Sequence, residues 1–409
     1  MDGMTTLGAQ EESSNRWWAD ALFILLTLTI CTIATYPQLK SGDFPVHIGW
    51  AKELNEKNFV LRPNILYQQL TIAFKAFIPF DLINLATNDA LEDYYHAWYY
   101  RLPALLVTLA SYLATALLLK HRFMKVTQIS QKHRQLVCWV SALVCMVVAP
   151  ILLFTLGQRL IIGYINPNVW HNPTYSLLKP FALWIYFFVV EHWKTKISLT
   201  QWLATGLMTG LSILAKPNFI LSFLPALGLL LFLQTRSLRR FPWKLVSALF
   251  IPALFVLLYQ YVVMYSLNAE NQIYLVPFKA AIFSAGNAIN LILFNFLSLL
   301  FPLLVSFISM NFIRDRFEFN LVWLNFGVAM ITWLLFVELP HMSSLDFLWG
   351  PNLAVFILFV YCVGWLLQNP VWWKKRSWQT AITKIALGFH LISGVVYTLI
   401  TIINPGRVV

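Results

Sequence analysis

The sequence predicts an all-α polytopic membrane protein with about eleven transmembrane helices and amphipathic surface helices in its first outer loop. Of its 409 residues, 59% are hydrophobic and only 11% are charged, whereas soluble domains average about 25% charged residues. The aromatic fraction of 16% is typical of a protein with lipid-facing rings and interfacial belts. These observations exclude a soluble enzyme, a disordered chain and a single-anchor protein.

The basic residues lie in short clusters between apolar runs, at 120–134, 236–244 and 374–376. Because basic loops stay on the cytoplasmic side, this pattern predicts a cytoplasmic N-terminus and an outside C-terminus. The net charge of +12 is thus explained by topology, and we expect no nucleic-acid partner. The sequence has no Asn-x-Ser/Thr acceptor, which favours the plasma (inner) membrane of a bacterium over the endoplasmic reticulum.

The whole chain, 1–409, is predicted to be one membrane domain without a separate soluble domain. Eleven apolar runs are predicted to cross the bilayer, at about 20 residues per span: 18–36, 102–119, 136–155, 175–190, 199–215, 219–233, 245–267, 288–310, 321–338, 351–368 and 379–403. The first outer loop, 37–101, separates the first span from spans 2 to 6 (102–233), and spans 7 to 11 occupy 234–409. A crossing by Asn64–Phe80 would turn every later basic cluster outward, so this segment is predicted to be an interfacial or re-entrant helix.

The acidic residues are concentrated in the first outer loop. Seven of the 17 acidic residues lie there: Asp43, Glu53, Glu56, Asp81, Asp89, Glu92 and Asp93. Ion-coupled transporters usually need carboxylates at mid-membrane, whereas an enzyme at the outer surface needs them in an outer loop. The spacing from Val46 to Glu56 predicts a short amphipathic helix. Asp43 then stands at its N-cap, or is a fixed general base, and His47 follows four residues later on the same face.

Three motifs in this order resemble the GT-C glycosyltransferases, polytopic enzymes of lipid-phosphate-linked sugars, family 39 among them. They are Leu61-Arg62-Pro63-Asn64-Ile65-Leu66-Tyr67, Tyr100-Arg101-Leu102-Pro103 and the hairpin GLMTGLSILAKPNF at Gly206–Phe219. The match extends from about residue 18 to 233. The resemblance implies inverting sugar transfer on the non-cytoplasmic face, with Asp43 as the acid that deprotonates the acceptor. Lys216 and Arg101 match basic positions of the family.

The chain departs from that family where a second acid is often found. Phe44 follows Asp43, and the loop 156–174 has no acidic residue. A requirement for a divalent cation, Mg²⁺ or Mn²⁺, is therefore left open, and no metal ligand is assigned.

Further candidates come from the other outer segments. Cations near the outer interface stabilise a phosphate leaving group, or else contact head groups by snorkelling; they are Arg159, Lys179, Lys216 and Lys279. In a turn-rich lid predicted at Ile165–Tyr175, Trp170 is expected to stack on a sugar, and His171 to contact the acceptor, bind a metal or make a structural hydrogen bond. Glu338, His341 and Asp346 form a solvated loop or line the far wall of the same cavity.

These patterns favour a glycosyltransferase that moves a sugar from a polyprenyl-phosphate carrier to a lipid, glycan or protein acceptor. A membrane-dissolved donor agrees with the absence of any nucleotide-binding glycine motif in the sequence. Three alternatives stay open: a transporter or flippase of lipid-linked sugars, a glycan polymerase or ligase of another fold, and a non-catalytic assembly subunit.

Overall fold

The computed structural model describes residues 4–57, 64–77, 89–153, 161–237, 239–266, 272–339, 342–371 and 377–404. Within these ranges the chain forms fourteen α-helices: α1 Met4–Thr35, α2 Phe44–Lys57, α3 Leu66–Lys75, α4 Asp89–Val126, α5 Gln131–Val147, α6 Pro173–His192, α7 Leu199–Ala215, α8 Asn218–Thr235, α9 Trp243–Tyr261, α10 Lys279–Ala285, α11 Ala288–Ile313, α12 Phe317–Leu335, α13 Trp349–Gln368 and α14 Trp378–Ile403. Two short strands, β1 Gln272–Leu275 and β2 Phe336–Leu339, pair antiparallel with Ile273 opposite Glu338. Short 3₁₀ turns occupy Tyr36–Lys40, Met342–Ser344 and Asp346–Leu348, and a π-helical turn follows α9 at Val262–Ser266.

Nine helices within the described ranges are long and apolar enough to cross a membrane. They include or overlap the predicted spans 1, 2, 4 and 6 to 11. The predicted spans 3 and 5 coincide with two shorter apolar helices, His133–Val147 and Leu199–Ala215. A polytopic, almost entirely helical membrane protein is therefore confirmed, with nine long spans where eleven were predicted.

Three helix ends differ from the predicted boundaries. The loop expected up to residue 101 is helical from Asp89, where acidic residues in the first turns favour a helix start. The third span ends at Val147, because Pro150 disfavours helix in the residue before it. The ninth span ends at Leu335, since 336–339 leaves the helix to pair with β1.

The described part of the segment 64–80, which is predicted to be interfacial or re-entrant, contains the helix α3. α3 has ten residues, about 15 Å at 1.5 Å per residue, which is half the bilayer core. It packs against α2 and α4, and the α2 helix begins at Phe44 as the amphipathic spacing predicts.

The core of the bundle is α13, whose spanning window is completely buried. It packs against α4, α5, α6, α8, α11 and α12. The outer helices α1, α9 and α14 are mostly exposed along their spans, as expected for surfaces that face lipid.

The two ends of the bundle differ in composition. At one end Arg122 on α4 forms ion pairs with Glu191 on α6 (2.8 Å) and Glu318 on α12 (2.6 Å), next to the segments predicted to be cytoplasmic. We call it the basic end. At the other end the start of α2, the start of α6, the end of α7 and the start of α13 come together, all in segments predicted to lie outside.

Candidate functional site

Asp43 lies where the surface helix α2 begins, against a loop more than 120 residues away in the chain. Its backbone N–H donates to the carbonyl of His171 (3.2 Å), and its own carbonyl accepts the first helical hydrogen bond from His47 (3.1 Å). Its carboxylate accepts a hydrogen bond from the side-chain amide of Asn172 (2.5 Å). The side chain is half-buried, so it combines a fixed position with partial access.

Asn172 is a site residue that the sequence analysis missed. Its side-chain oxygen accepts from the backbone N–H of Tyr175 (2.8 Å) and from the hydroxyl of Thr174 (2.9 Å), which caps α6. Pro173 at the first helical position completes a standard helix start. The Asn172-Pro173 pair is a capping signal that could have been recognised in the sequence. The contact between the Asn172 amide and Asp43, by contrast, depends on the fold.

Lys216 at the end of α7 brings a cation to the same cluster. Its ammonium donates to the Thr174 hydroxyl (3.4 Å) and lies 4.6 Å from the centre of the Trp349 ring. The residue is 6% exposed, and no described carboxylate lies within ion-pair distance of it. Burial lowers the pKa of Lys216, while Asp346 and Asp43 act to raise it. A buried cation without an adjacent carboxylate is suited to an anionic ligand.

His47 faces the cluster from α2. Its Nδ1 lies 2.9 Å from the side-chain amide of Gln68 on α3, and the residue is buried. The pKa of His47 is lowered to about 3, mainly by burial and also by the charge of Lys216, while Asp43 acts to raise it. His47 is therefore neutral at pH 7 and links the two surface helices.

His171 lies directly before Asn172. Its ring is buried edge-on to Trp349, with 6.1 Å between ring centres. Burial lowers its pKa, with Asp43 opposing and Lys216 reinforcing the shift. Its Nδ1 is buried without a hydrogen-bond partner, so this nitrogen is free to form a hydrogen bond with a ligand or a water molecule.

Trp170 lies in the core and not in the cluster. It is 1% exposed, its indole N–H donates to Thr398 (3.1 Å), and it packs against Tyr112. It anchors the loop and offers no open face to a sugar. Trp349 does border the cluster, beside Lys216 and His171, and it also contacts Tyr175.

The loop that carries His171 and Asn172, predicted to be a turn-rich lid, is buried, and hydrogen bonds hold it in place. Asn168 donates to the carbonyls of Cys145 and Val148 (2.9 and 2.8 Å) and accepts from the ammonium of Lys179 (2.6 Å). The N–H of Asn166 donates to the side chain of Asn352 on α13 (2.8 Å). Lys179, predicted as an outer cation, is thus a buried support of this loop.

The remaining predicted residues lie apart from the cluster or outside the described residues. Arg101 is half-buried on α4 and forms no hydrogen bond or ion pair with any described residue. Glu338 lies on β2 beside Asp346. Arg159 and His341 lie outside the described residues. Lys279 begins α10.

No described group of three or more His, Cys, Asp or Glu residues has the geometry of a metal site. Whether a divalent cation, Mg²⁺ or Mn²⁺, takes part therefore stays open.

Comparison of the chain with protein-family models, with curated protein sequences and with solved structures finds no significant match. The resemblance to GT-C glycosyltransferases consequently rests on the three sequence motifs. What the fold adds is a cluster of one carboxylate, one cation and two neutral histidines, drawn from α2, the loop before α6, and α7.

Proposed function

We propose that the protein is a GT-C-like glycosyltransferase, which transfers a sugar with inversion from a polyprenyl-phosphate carrier to a lipid, glycan or protein acceptor. The observation that carries the proposal is the meeting of Asp43 and Lys216 at the start of α6, through Asn172 and Thr174. A base for the acceptor hydroxyl and a cation for the leaving group are the two functions that this transfer requires. The three motifs support the same reaction.

In the proposed reaction, the acceptor hydroxyl attacks the anomeric carbon of the donor sugar. A new carbon–oxygen bond forms to the acceptor while the bond from the anomeric carbon to the phosphate oxygen breaks. The acceptor proton passes to the Asp43 carboxylate, which the Asn172 amide holds in position. The electron pair leaves with the polyprenyl phosphate, and the Lys216 ammonium stabilises its growing negative charge.

The proposal extends to the membrane. We propose eleven spans, made of the nine long helices and the two shorter ones, in the plasma (inner) membrane with a cytoplasmic N-terminus and an outside C-terminus. The cluster then faces outward, at the depth of the surface helices α2 and α3. A lipid-borne donor reaches such a site from within the bilayer, and its head group meets Lys216 near the interface.

The decisive test is transfer by the purified protein from a panel of radiolabelled polyprenyl-phosphate sugars, with and without EDTA. Asp43→Asn keeps the size of the side chain and removes the base, so its rate is expected to fall at least about 10²-fold, the usual contribution of general base catalysis. Glu53→Gln is the matched control, since Glu53 is an ion-paired residue of the same helix. It should retain wild-type transfer.

The other outcomes separate the alternatives. Equal transfer by the wild type and by Asp43→Asn would remove Asp43 from the mechanism and favour a polymerase or ligase with other active groups. Donor binding without transfer, seen as a raised melting temperature, would favour a flippase or an assembly subunit. Loss of transfer in EDTA with the wild type would establish the divalent cation.

A further inference from the structure

The surface helices α2 and α3 are joined by a buried hydrogen bond between His47 and Gln68. His47 is 7% exposed and Gln68 is 2% exposed, and the Gln68 amide lies 2.9 Å from Nδ1 of His47. In a buried pair of this kind each donor needs an acceptor. The orientation of the Gln68 amide therefore decides which nitrogen of the neutral His47 ring carries the proton.

One orientation of the Gln68 amide gives both of its ends a complementary partner. In that orientation its N–H groups donate to the backbone carbonyls of Asn64 (2.7 Å) and Ile65 (3.3 Å), and its oxygen lies 2.9 Å from Nδ1 of His47. The opposite orientation would turn the amide oxygen toward two carbonyl oxygens, which repel it. Because an amide oxygen accepts and does not donate, Nδ1 of His47 is the donor and carries the proton.

Aromatic neighbours hold the His47 ring in this position. Trp50 on α2 and Tyr67 on α3 contact it edge-on, with 4.9 and 5.9 Å between ring centres. The Tyr67 hydroxyl in turn donates to the backbone carbonyl of Ala104 on α4 (2.8 Å). Nδ1 consequently stays turned toward Gln68, and the other nitrogen, Nε2, points away from it, since the two nitrogens of an imidazole face different directions.

Nε2 of His47 forms no hydrogen bond with any described residue. When Nδ1 carries the proton of a neutral imidazole, Nε2 is an acceptor. The charges that act on the ring are those of Asp43 on the same helix and of Lys216 on α7, and burial together with Lys216 keeps the pKa of His47 low. The titratable group that faces the ring from α3 is Tyr67, whose pKa is raised by burial, so it adds no charge. Nε2 therefore stays bare near neutral pH.

We propose that Gln68 is a positioning residue, which holds His47 in the tautomer with the proton on Nδ1 and so presents Nε2 to the candidate site as a hydrogen-bond acceptor for a substrate hydroxyl. A sugar or an acceptor alcohol supplies such O–H donors. A neutral acceptor binds them without placing a second negative charge beside Asp43. That the hydroxyl belongs to a substrate of sugar transfer rests on the proposed function; the tautomer of His47 does not.

The tautomer is measured by ¹⁵N NMR on the purified protein with labelled histidine, at neutral pH and without ligand. Protonated and bare imidazole nitrogens give well-separated signals, and comparison with His47→Gln identifies those of His47. We expect a protonated Nδ1 and a bare Nε2 in the wild type. Gln68→Met keeps the length of the side chain and removes its oxygen, so part of the protein should carry the proton on Nε2. Gln69→Met, the same change at the exposed neighbouring position of α3, should leave the tautomer as it is in the wild type.

Transfer kinetics with the panel of polyprenyl-phosphate sugars test the role of Nε2. Gln68→Met is expected to lower kcat/KM about tenfold, the effect of one lost hydrogen bond, and Gln69→Met should leave it unchanged. Gln68→Met also removes the donors to two backbone carbonyls, so a pair of His47 variants provides a second measurement. His47→Gln places an amide near the position of Nε2 and His47→Asn places one near that of Nδ1. His47→Gln should therefore retain about tenfold more transfer than His47→Asn.

Three results would overturn the proposal. One is that His47 of the wild type carries its proton on Nε2. Another is that Gln68→Met keeps the proton entirely on Nδ1, because Gln68 would then not set the tautomer. The third is that Gln68→Met changes the tautomer and leaves transfer unchanged, which would remove Nε2 from substrate binding. If the wild type transfers no sugar from any donor, the proposed function fails, and the NMR signals still decide the tautomer.

Discussion

Asn172 makes two contacts at the site, since its side-chain oxygen caps α6 and its side-chain N–H donates to Asp43. Asn172→Ala is expected to destabilise the protein by about 1 kcal/mol through the lost cap. It should also slow sugar transfer about tenfold or more, because a hydrogen bond to a charged group is worth about 1.5–3 kcal/mol. Melting temperature and initial transfer rate measure the two effects.

Asn287 provides the matched control for this prediction. It caps α11 in the same manner, accepting from the N–H of Asn290 (2.8 Å), and has no described contact with Asp43. Asn287→Ala should lower the melting temperature by a similar amount and leave transfer unchanged. If both variants slow transfer equally, the effect of Asn172 is one of stability and not of positioning.

His47 makes the stability of the site end depend on pH. Its pKa falls from 6.5 to about 3 on folding, so its contribution is fully present above about pH 6.5 and is lost as the pH falls toward 3. The advantage of the wild type in melting temperature over His47→Gln should therefore shrink between pH 7 and pH 4. His133→Gln, an exposed change on α5, serves as control. An advantage that is constant over this range would contradict the assignment.

Glu338 acts in the opposite sense over part of the same range. Its pKa is raised on folding from 4.5 to about 7, so its contribution is present below pH 4.5 and is lost as the pH rises through 7. The difference in melting temperature between the wild type and Glu338→Gln reports on Glu338 alone, and the difference between the wild type and His47→Gln reports on His47 alone. The advantage of the wild type over Glu338→Gln should therefore shrink as the pH rises through 7, and an advantage that is constant would contradict the assignment.

At the scale of elements, α14 packs against the chain that follows α5. Pro150 leaves an extended segment whose backbone groups lie within the bundle, where every such group needs a partner. The His390 ring bonds the carbonyl of Ala149 (2.7 Å), and Ser393 donates to the carbonyl of Pro150 (2.6 Å) and accepts from the N–H of Leu152 (3.1 Å). α14 therefore supplies the partners that the extended segment lacks.

Gly394 allows this close approach. A Cβ at this position would overlap the carbonyl oxygen of Val147 and lie 2.8 Å from its carbon, so Gly394→Ala should destabilise the protein by about 1–3 kcal/mol or more. Gly388 on the same helix has nothing within 4 Å of such a Cβ, and Gly388→Ala should stabilise the helix by about 0.5–1 kcal/mol. We expect the melting temperature to fall in Gly394→Ala and to rise in Gly388→Ala. A lower melting temperature in both variants would show that helix propensity does not dominate at Gly388.

For the whole molecule, the separation of a basic end from the site end predicts which residues face the outside. The described cysteines are all buried, so a single introduced cysteine gives a clean label. Ser343→Cys at the site end should react with a membrane-impermeant maleimide in intact cells. Thr195→Cys at the basic end should react only after permeabilisation. Both positions are exposed, and the reverse pattern would place the candidate site in the cytoplasm.

The sequence by itself determined the class of the molecule and most of its helices. Apolar length is a property of a segment alone, so runs of about 20 residues marked the nine long helices without knowledge of their neighbours. The start of α2 at Phe44 was readable as well, because Asp43 and Pro45 are ordinary helix-start residues. The end of the third span was missed although Pro150 marks it in the sequence, whereas the end of the ninth span depends on pairing with the distant strand β1.

Only the tertiary structure decided which side chains share a site. The helices of this bundle are apolar on nearly all faces, so periodicity does not indicate which face meets which helix. For this reason the sequence offered Trp170 as the open ring, whereas packing buried it and brought Trp349 to Lys216. The meeting of Asp43 with Asn172, and of Lys216 with Thr174, follows from contacts between segments far apart in the chain, where no local pattern carries information.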